Sequence, residues 1–95
     1  MSQCFRLSEH AQKRLQQRGI DEAAIAAVIY FGERFHAGEG NFAYYMSRRA
    51  IERASHSYGM QLGDYQDAAV IATPHMHIIT VQFVARPKKS WRGKH

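Results

Sequence analysis

Three observations on this 95-residue chain predict an α+β domain with its helices gathered on one face of a sheet. Apolar residues follow helical spacing through the first third. The pattern changes to strand-like alternation after Gly32. The longest alternating run comes late, from His77 to Ala85. Helices that precede and interrupt the strands, rather than alternating with each, fit the α+β class.

The first helix is expected over Glu9–Arg18. Ser8 is a good N-cap, and Gly19 can take the left-handed conformation that ends a helix. Ala11 and Leu15 give it a narrow apolar stripe, so a helix this short depends on packing. Asp21 caps a second helix over Glu22–Phe31, and the short Gly19-Ile20 link makes the two a helical hairpin. The second helix is apolar nearly all the way round, which predicts burial on most sides or one face buried in a partner subunit. After Gly32, Glu33–Ala37 and Asn41–Ser47 read as strands joined by Gly38-Glu39-Gly40. In the second of these, Phe42, Tyr44 and Met46 share one face, and Ala43, Tyr45 and Ser47 share the other. Ser47 caps a third helix, Arg48 to about Ser57, ending at Gly59, and Met60–Gln66 connects onward. Ala68–Thr73 is almost continuously apolar, as in a strand covered on both faces. His77–Ala85 alternates strictly, with His77, Ile79, Val81, Phe83 and Ala85 on one side and Ile78, Thr80, Gln82 and Val84 on the other. The expectation is two N-terminal helices and a third helix on a mainly antiparallel sheet of about four strands, with the last strand inside the sheet.

Composition predicts a single domain, residues 1–95, with 45% hydrophobic residues. No apolar stretch approaches the roughly 20 residues of a membrane span. No basic-then-apolar leader pattern opens the chain, and Cys4 alone excludes an internal disulfide or a multi-cysteine metal site. The expected setting is cytoplasmic. The net charge of +5 is uneven: from Arg86 onward there are five basic residues and no acidic ones, while the preceding residues hold eight of each sign. Residues 87–95 therefore read as a basic, flexible tail. Clustered positive charge is the footprint of a polyanion partner, and Trp91 among those charges offers a stacking face for an exposed base. The expected nucleic-acid-binding set is Arg18, Arg86, Lys88, Lys89, Trp91 and Arg92, with RNA as the partner.

His10, Arg14 and Arg18 recur at four-residue spacing and form a ridge along one helical face, at the edge of the buried stripe. Two readings follow. In one, the ridge is structural, its arginines and imidazole bonded to neighbouring carbonyls or carboxylates. In the other, it binds an anion or transfers protons. The six histidines show no H-E-x-x-H pattern, and no Cys-x-x-Cys accompanies them, so neither a metal nor a cofactor is expected. No nucleophile elbow, phosphate loop or dinucleotide fingerprint occurs. What remains is a basic and aromatic set without paired carboxylates. RNA cleavage by its own 2′-hydroxyl runs on such groups: one accepts the hydroxyl proton, arginines stabilise the phosphorane, and another group protonates the leaving oxygen. The candidate catalytic residues are His10, Arg14 and Arg48, with Arg86, Tyr44 or Tyr45 as a further converging group.

The run His10-Ala11-x-x-Arg14-x-x-x-Arg18-Gly19-Ile20, a helix ending at Gly32, and the strand Ile79-Thr80-Val81 resemble a bacterial family of small proteins catalogued as a domain of unknown function. The resemblance spans Leu7 to about Arg92. Where that family tends to place an aromatic residue and an arginine after the Thr-Val pair, this chain has Gln82 and Phe83, with Arg86 later. More distantly, the two helices, the sheet and the basic C-terminus resemble RelE- and BrnT-type ribonuclease toxins. That resemblance implies a RelE-like fold, a toxin-type endoribonuclease acting without metal, and an antitoxin-like protein partner. The alternative is a non-catalytic module that binds nucleic acid or protein, with a homo-oligomer formed through the second helix.

Overall fold

Each helix starts where a polar side chain can satisfy its first free N–H groups. In the computed structural model, which describes residues 5–93, Ser8 Oγ accepts from Ala11 N at 3.0 Å, Asp21 Oδ1 from Ala24 N at 3.0 Å, and Ser47 Oγ from Ala50 N at 3.1 Å. These caps open α1 (Glu9–Arg18), α2 (Glu22–Phe31) and α3 (Arg48–Tyr58). Gly19, at φ 65°, closes α1 in the left-handed conformation. Gly32 serves a different purpose. A Cβ there would lie 2.4 Å from Val28 O and 2.9 Å from Tyr45 O, so glycine lets the end of α2 press onto the sheet.

The sheet has six strands: β1 (Arg6–Leu7), β2 (Glu33–Gly38), β3 (Asn41–Tyr45), β4 (Ala68–Ala72), β5 (His77–Phe83) and β6 (Arg92–Gly93). Their order is β1-β5-β4-β3-β2-β6. The expectation of about four antiparallel strands is therefore corrected. β1 pairs parallel with β5, so the sheet is mixed, and the two additional strands have two residues each. Segments that short carry no alternation to read. β5 is the longest strand and lies inside the sheet, but β1 covers only His77 and Ile78 of its outer edge.

The helices bury Ala11, Leu15, Ile25, Val28, Ala50 and Ala54 against Tyr44, Met46, Val70, Ile78 and Val81 on one sheet face. β4 is covered on both sides, as its apolar run predicts: Ala68, Val70 and Ala72 join this layer, and Ala69 joins a second core on the opposite face. The strict alternation expected of β5 is broken. Ala72 pairs with Ile78 and Ile71 with Thr80, so Ile79 is an extra residue in the ladder. Such a bulge lets Ile78 and Val81 face the helices together.

The C-terminal segment is a strap rather than a flexible tail. Tyr45 Oη lies 2.8 Å from Asp67 Oδ1 and 3.1 Å from Ala85 O, tying down the chain as it leaves β5. The chain then crosses the second face and places Trp91, only 8% exposed, with Ala43, Tyr45 and Ala69. It ends as β6 on the edge of β2. The part of the tail expectation that falls on Lys94 and His95 lies outside the described residues, as does Cys4. Among the described residues, no helix is long and apolar enough to cross a membrane.

Candidate nucleic-acid interface

The ridge on α1 runs beside the outer edge of β5. Ser8 Oγ donates to Ile79 O at 2.9 Å, Arg14 Nε donates to Val81 O at 3.2 Å, and the Arg18 guanidinium sits 5.6 Å from the centre of the Phe83 ring. The pitch explains the match. Four helical residues advance about 6 Å and two strand residues about 6.7 Å, so an i, i+4 row stays beside alternate strand residues. An open strand edge offers unpaired carbonyls, and Arg14 takes one of them. Arg14 is half-buried, while His10 and Arg18 are exposed.

The catalytic set expected from the sequence is not brought together. β3 and β5 both run antiparallel to β4, so the end of β3 and the start of β5 lie at opposite ends of the sheet. Arg48 opens α3 just after β3, whereas Ser8, beside His10, bonds Ile79 near the start of β5. Tyr44 and Tyr45 also leave the candidate list as surface groups, since both are buried. Tyr44 belongs to the helix-side core, with its hydroxyl 3.9 Å from Met76 Sδ. Tyr45 faces the other way. Burial first, and then the hydrogen bond to the Asp67 carboxylate, push its pKa up to about 12. Trp91 is not a free stacking face either: its ring packs 6.2 Å from Phe35. Arg86, Lys88, Lys89 and Arg92 are all exposed on the strap that Trp91 anchors.

A different basic and aromatic group does converge, on β2, β3 and β6. Cross-strand partners share a sheet face. His36 pairs with Phe42 on one side and with Arg92 on the other, and Arg34 pairs with Tyr44. Arg34, His36, Phe42 and Arg92 therefore stand on the helix-side face, and Phe35 and Trp91 lie on the reverse. The Arg34 guanidinium lies 4.8 Å from the centre of the Phe42 ring, and the His36 ring lies 5.3 Å from it. Arg34, His36 and Arg92 are exposed, and Phe42 is half-buried. No carboxylate occupies this face of β2 or β3. Glu33 pairs with Tyr45 on the opposite face and accepts from Ser47 Oγ, and Glu39 sits on the hairpin turn. The arrangement presents an imidazole with a guanidinium on either side, one of them lying over an aromatic ring, which suits a phosphate next to an unpaired base.

Of these residues only Arg92 was singled out by sequence reasoning. Arg34 and His36 were missed, although Glu33-Arg34-Phe35-His36-Ala37 alternates and places them together. Among the described residues, no three His, Cys, Asp or Glu side chains converge to hold a metal ion. His75 and His77 are exposed, and their backbone N–H groups donate to Thr73 Oγ1.

Neither the curated proteins nor the solved structures contain a match to this chain. One family model does match, over residues 7–83, which takes in α1 to β5 and leaves the strap outside. That span includes Arg34, His36 and Phe42 but not Trp91 or Arg92, and over it the chain belongs to the DUF4258 family, a domain of unknown function.

Proposed function

We propose that this protein is RNA-directed, with a RelE-like arrangement of helices and sheet, and that it holds single-stranded RNA on the β6–β2–β3 face. The observation that carries this reading is the row Arg92, His36 and Phe42 across β6, β2 and β3, with Arg34 over the Phe42 ring and no carboxylate on that face of β2 or β3. Arginine forks bind phosphate oxygens in two-point fashion, and a guanidinium plane backed by an aromatic ring stacks an unpaired base. Arg86, Lys88 and Lys89 lie on the strap that crosses the opposite face, where they add long-range positive potential rather than direct contacts at this site.

Fluorescence anisotropy with a labelled pyrimidine-rich 12-mer RNA across a salt series tests the reading. Binding is expected to weaken steeply with salt. Each phosphate contact removed by Arg34→Ala or Arg92→Ala is expected to flatten the log–log slope by about 0.7 and to weaken affinity about tenfold at low salt, since hydrogen bonds to charged groups contribute about 1.5–3 kcal/mol. Parent-like affinity in both variants would overturn the assignment. Deleting the whole strap is a poor test, because it also removes Trp91 from the core.

A second reading, a protein contact through α2, is favoured by one observation. Tyr30 and Tyr58 are 73% and 63% exposed, and both stack on Phe31, at centroid distances of 4.7 and 5.4 Å. In this reading a second copy of the chain covers the patch. Sedimentation velocity on the parent and on Tyr30→Ser tests it: a dimer that the substitution dissociates supports it, and a monomer at all concentrations removes it.

A further inference from the structure

We infer that the β6–β2–β3 face also cleaves the RNA it holds, by attack of the RNA's own 2′-hydroxyl, with His36 as the proton acceptor. This inference rests on the reading of that face as the RNA site.

His36 is the residue around which the face is organised. Along β2 it is two residues from Arg34, about 6.7 Å away on the same face. Across the β2–β6 ladder it stands opposite Arg92, and across the β2–β3 ladder opposite Phe42. A phosphate held by Arg92 or Arg34 therefore lies beside the imidazole, and an unpaired base can stack on the outer plane of the Arg34 guanidinium that covers the Phe42 ring. Arg34 is already held over that ring, 4.8 Å from its centre, which limits the freedom its guanidinium loses on binding phosphate. Histidine takes and returns protons near neutral pH better than any other side chain, and His36 is solvent-exposed, so the proton can leave to water.

In the reaction, a ring nitrogen of His36 takes the proton of the 2′-hydroxyl. The 2′-oxygen forms a bond to phosphorus, and the bond from phosphorus to the 5′-oxygen of the next nucleotide breaks. The leaving 5′-oxygen takes a proton from water, and the imidazolium returns its proton to solvent. The products are a 2′,3′-cyclic phosphate and a 5′-hydroxyl, with no net consumption of water. Arg34 and Arg92 face the extra negative charge that gathers on the phosphorane oxygens, where fixed positive groups contribute most. The step needs a 2′-hydroxyl and an unpaired, stacked nucleotide, so the substrate class is single-stranded RNA and not DNA.

The experiment uses the full-length protein in EDTA with two labelled 12-mers of one pyrimidine-rich sequence, one natural RNA and one 2′-O-methylated throughout. Affinity is measured on the methylated strand, and products from both strands are identified by mass spectrometry. The parent is expected to bind both strands and to convert only the natural one to fragments ending in a 2′,3′-cyclic phosphate. His36→Gln, purified identically and held at concentrations that saturate the strand, is expected to cleave roughly 10²–10⁴ more slowly than the parent, the range for a lost proton-transfer group. Tight binding by the parent without a cyclic-phosphate product overturns the catalytic inference and leaves the binding assignment standing. Failure to bind either strand overturns both. Cleavage by His36→Gln at the parent rate, or cleavage of the methylated strand, rejects His36 as the proton acceptor. If His36→Gln loses binding, His36→Asn and a thermal melt serve as the second variant and the folding control. Parent-like cleavage by a folded His36→Asn likewise rejects the inference.

Discussion

Two regions of this molecule carry regularly spaced cations beside an aromatic ring, and they use them in opposite ways. On α1, the Arg14 side chain is committed to a backbone carbonyl of β5, and Arg18 lies over Phe83. On β2 and β6, Arg34 and Arg92 flank His36 on an open sheet face, and among the described residues the Arg34 guanidinium contacts the Phe42 ring. The difference comes from what lies alongside. α1 borders a strand whose outer edge is paired over only two residues, so its polar side chains complete the ladder. β2 is also paired on its outer edge over only two residues, but Arg34 and His36 project from the sheet face, away from backbone carbonyls, rather than lying along an open edge. Periodicity creates a ridge in either setting, and the neighbouring hydrogen-bonding capacity decides whether the ridge stays available.

The largest effect is expected at the anchor shared by the strap and the open face. Trp91→Ala empties the second core and should cost about 3 kcal/mol, the lower end for buried aromatic truncations, read as a fall in melting temperature. RNA affinity should fall with it, because Trp91 holds Arg92 opposite His36. A variant that melts like the parent would show that the strap does not position the face.

Next in size is the pair that contrasts the two regions directly. Arg14→Ala leaves Val81 O unpaired at a half-buried edge and should cost about 1 kcal/mol, with RNA binding unchanged. Arg34→Ala should change stability by no more than about 0.5 kcal/mol, the scale of an exposed cation–π contact, and weaken RNA binding. If Arg14→Ala instead lowers RNA affinity with no change in melting, the ridge is the functional surface and the comparison reverses.

Tyr45→Phe should also cost about 1 kcal/mol near neutral pH, because Asp67 and Ala85 lose their shared donor. Its signature is in the pH dependence. Tyr45 titrates near 10 when unfolded and is pushed up to about 12 in the fold. The folded state therefore favours the protonated hydroxyl. The stabilisation is full below pH 10 and is lost as pH rises from 10 through about 12. The parent should lose melting temperature faster than Tyr45→Phe across that window, so the two curves converge. Parallel curves would remove the phenol as the titrating group. The smallest effect is expected for Arg18→Ala, about 0.5 kcal/mol from its exposed contact with Phe83.

Local features were legible in the sequence. The three caps, the turn at Gly19 and the two faces of β3 follow from neighbours a few residues apart. The alternation of Glu33 to Ala37 likewise places Arg34 with His36. What was not legible involves distant partners. Arg14 meets Val81 across 67 residues, and nothing in the helix announces an open strand edge. The bulge at Ile79 is a property of two paired strands, so strict alternation within one of them misassigned its faces. The strap read as a tail because a two-residue strand with one tryptophan looks, in isolation, like a charged terminus.

The bond between Ser8 and Ile79 spans 71 of the 95 residues. Its consequence lies in the order of events during synthesis. β2 to β5 pair in sequence order, with α3 between β3 and β4, and these pairings are far more local than the contact of α1 with β5, so they form earlier. α1 leaves the ribosome before these strands but must wait for the last long one before it has an edge to cover. A ten-residue helix is marginal in isolation, so the N-terminal segment is bound to be among the last parts to become ordered. Slowing translation after β4 should therefore lengthen the time in which the nascent chain can be cleaved by protease within residues 5–20.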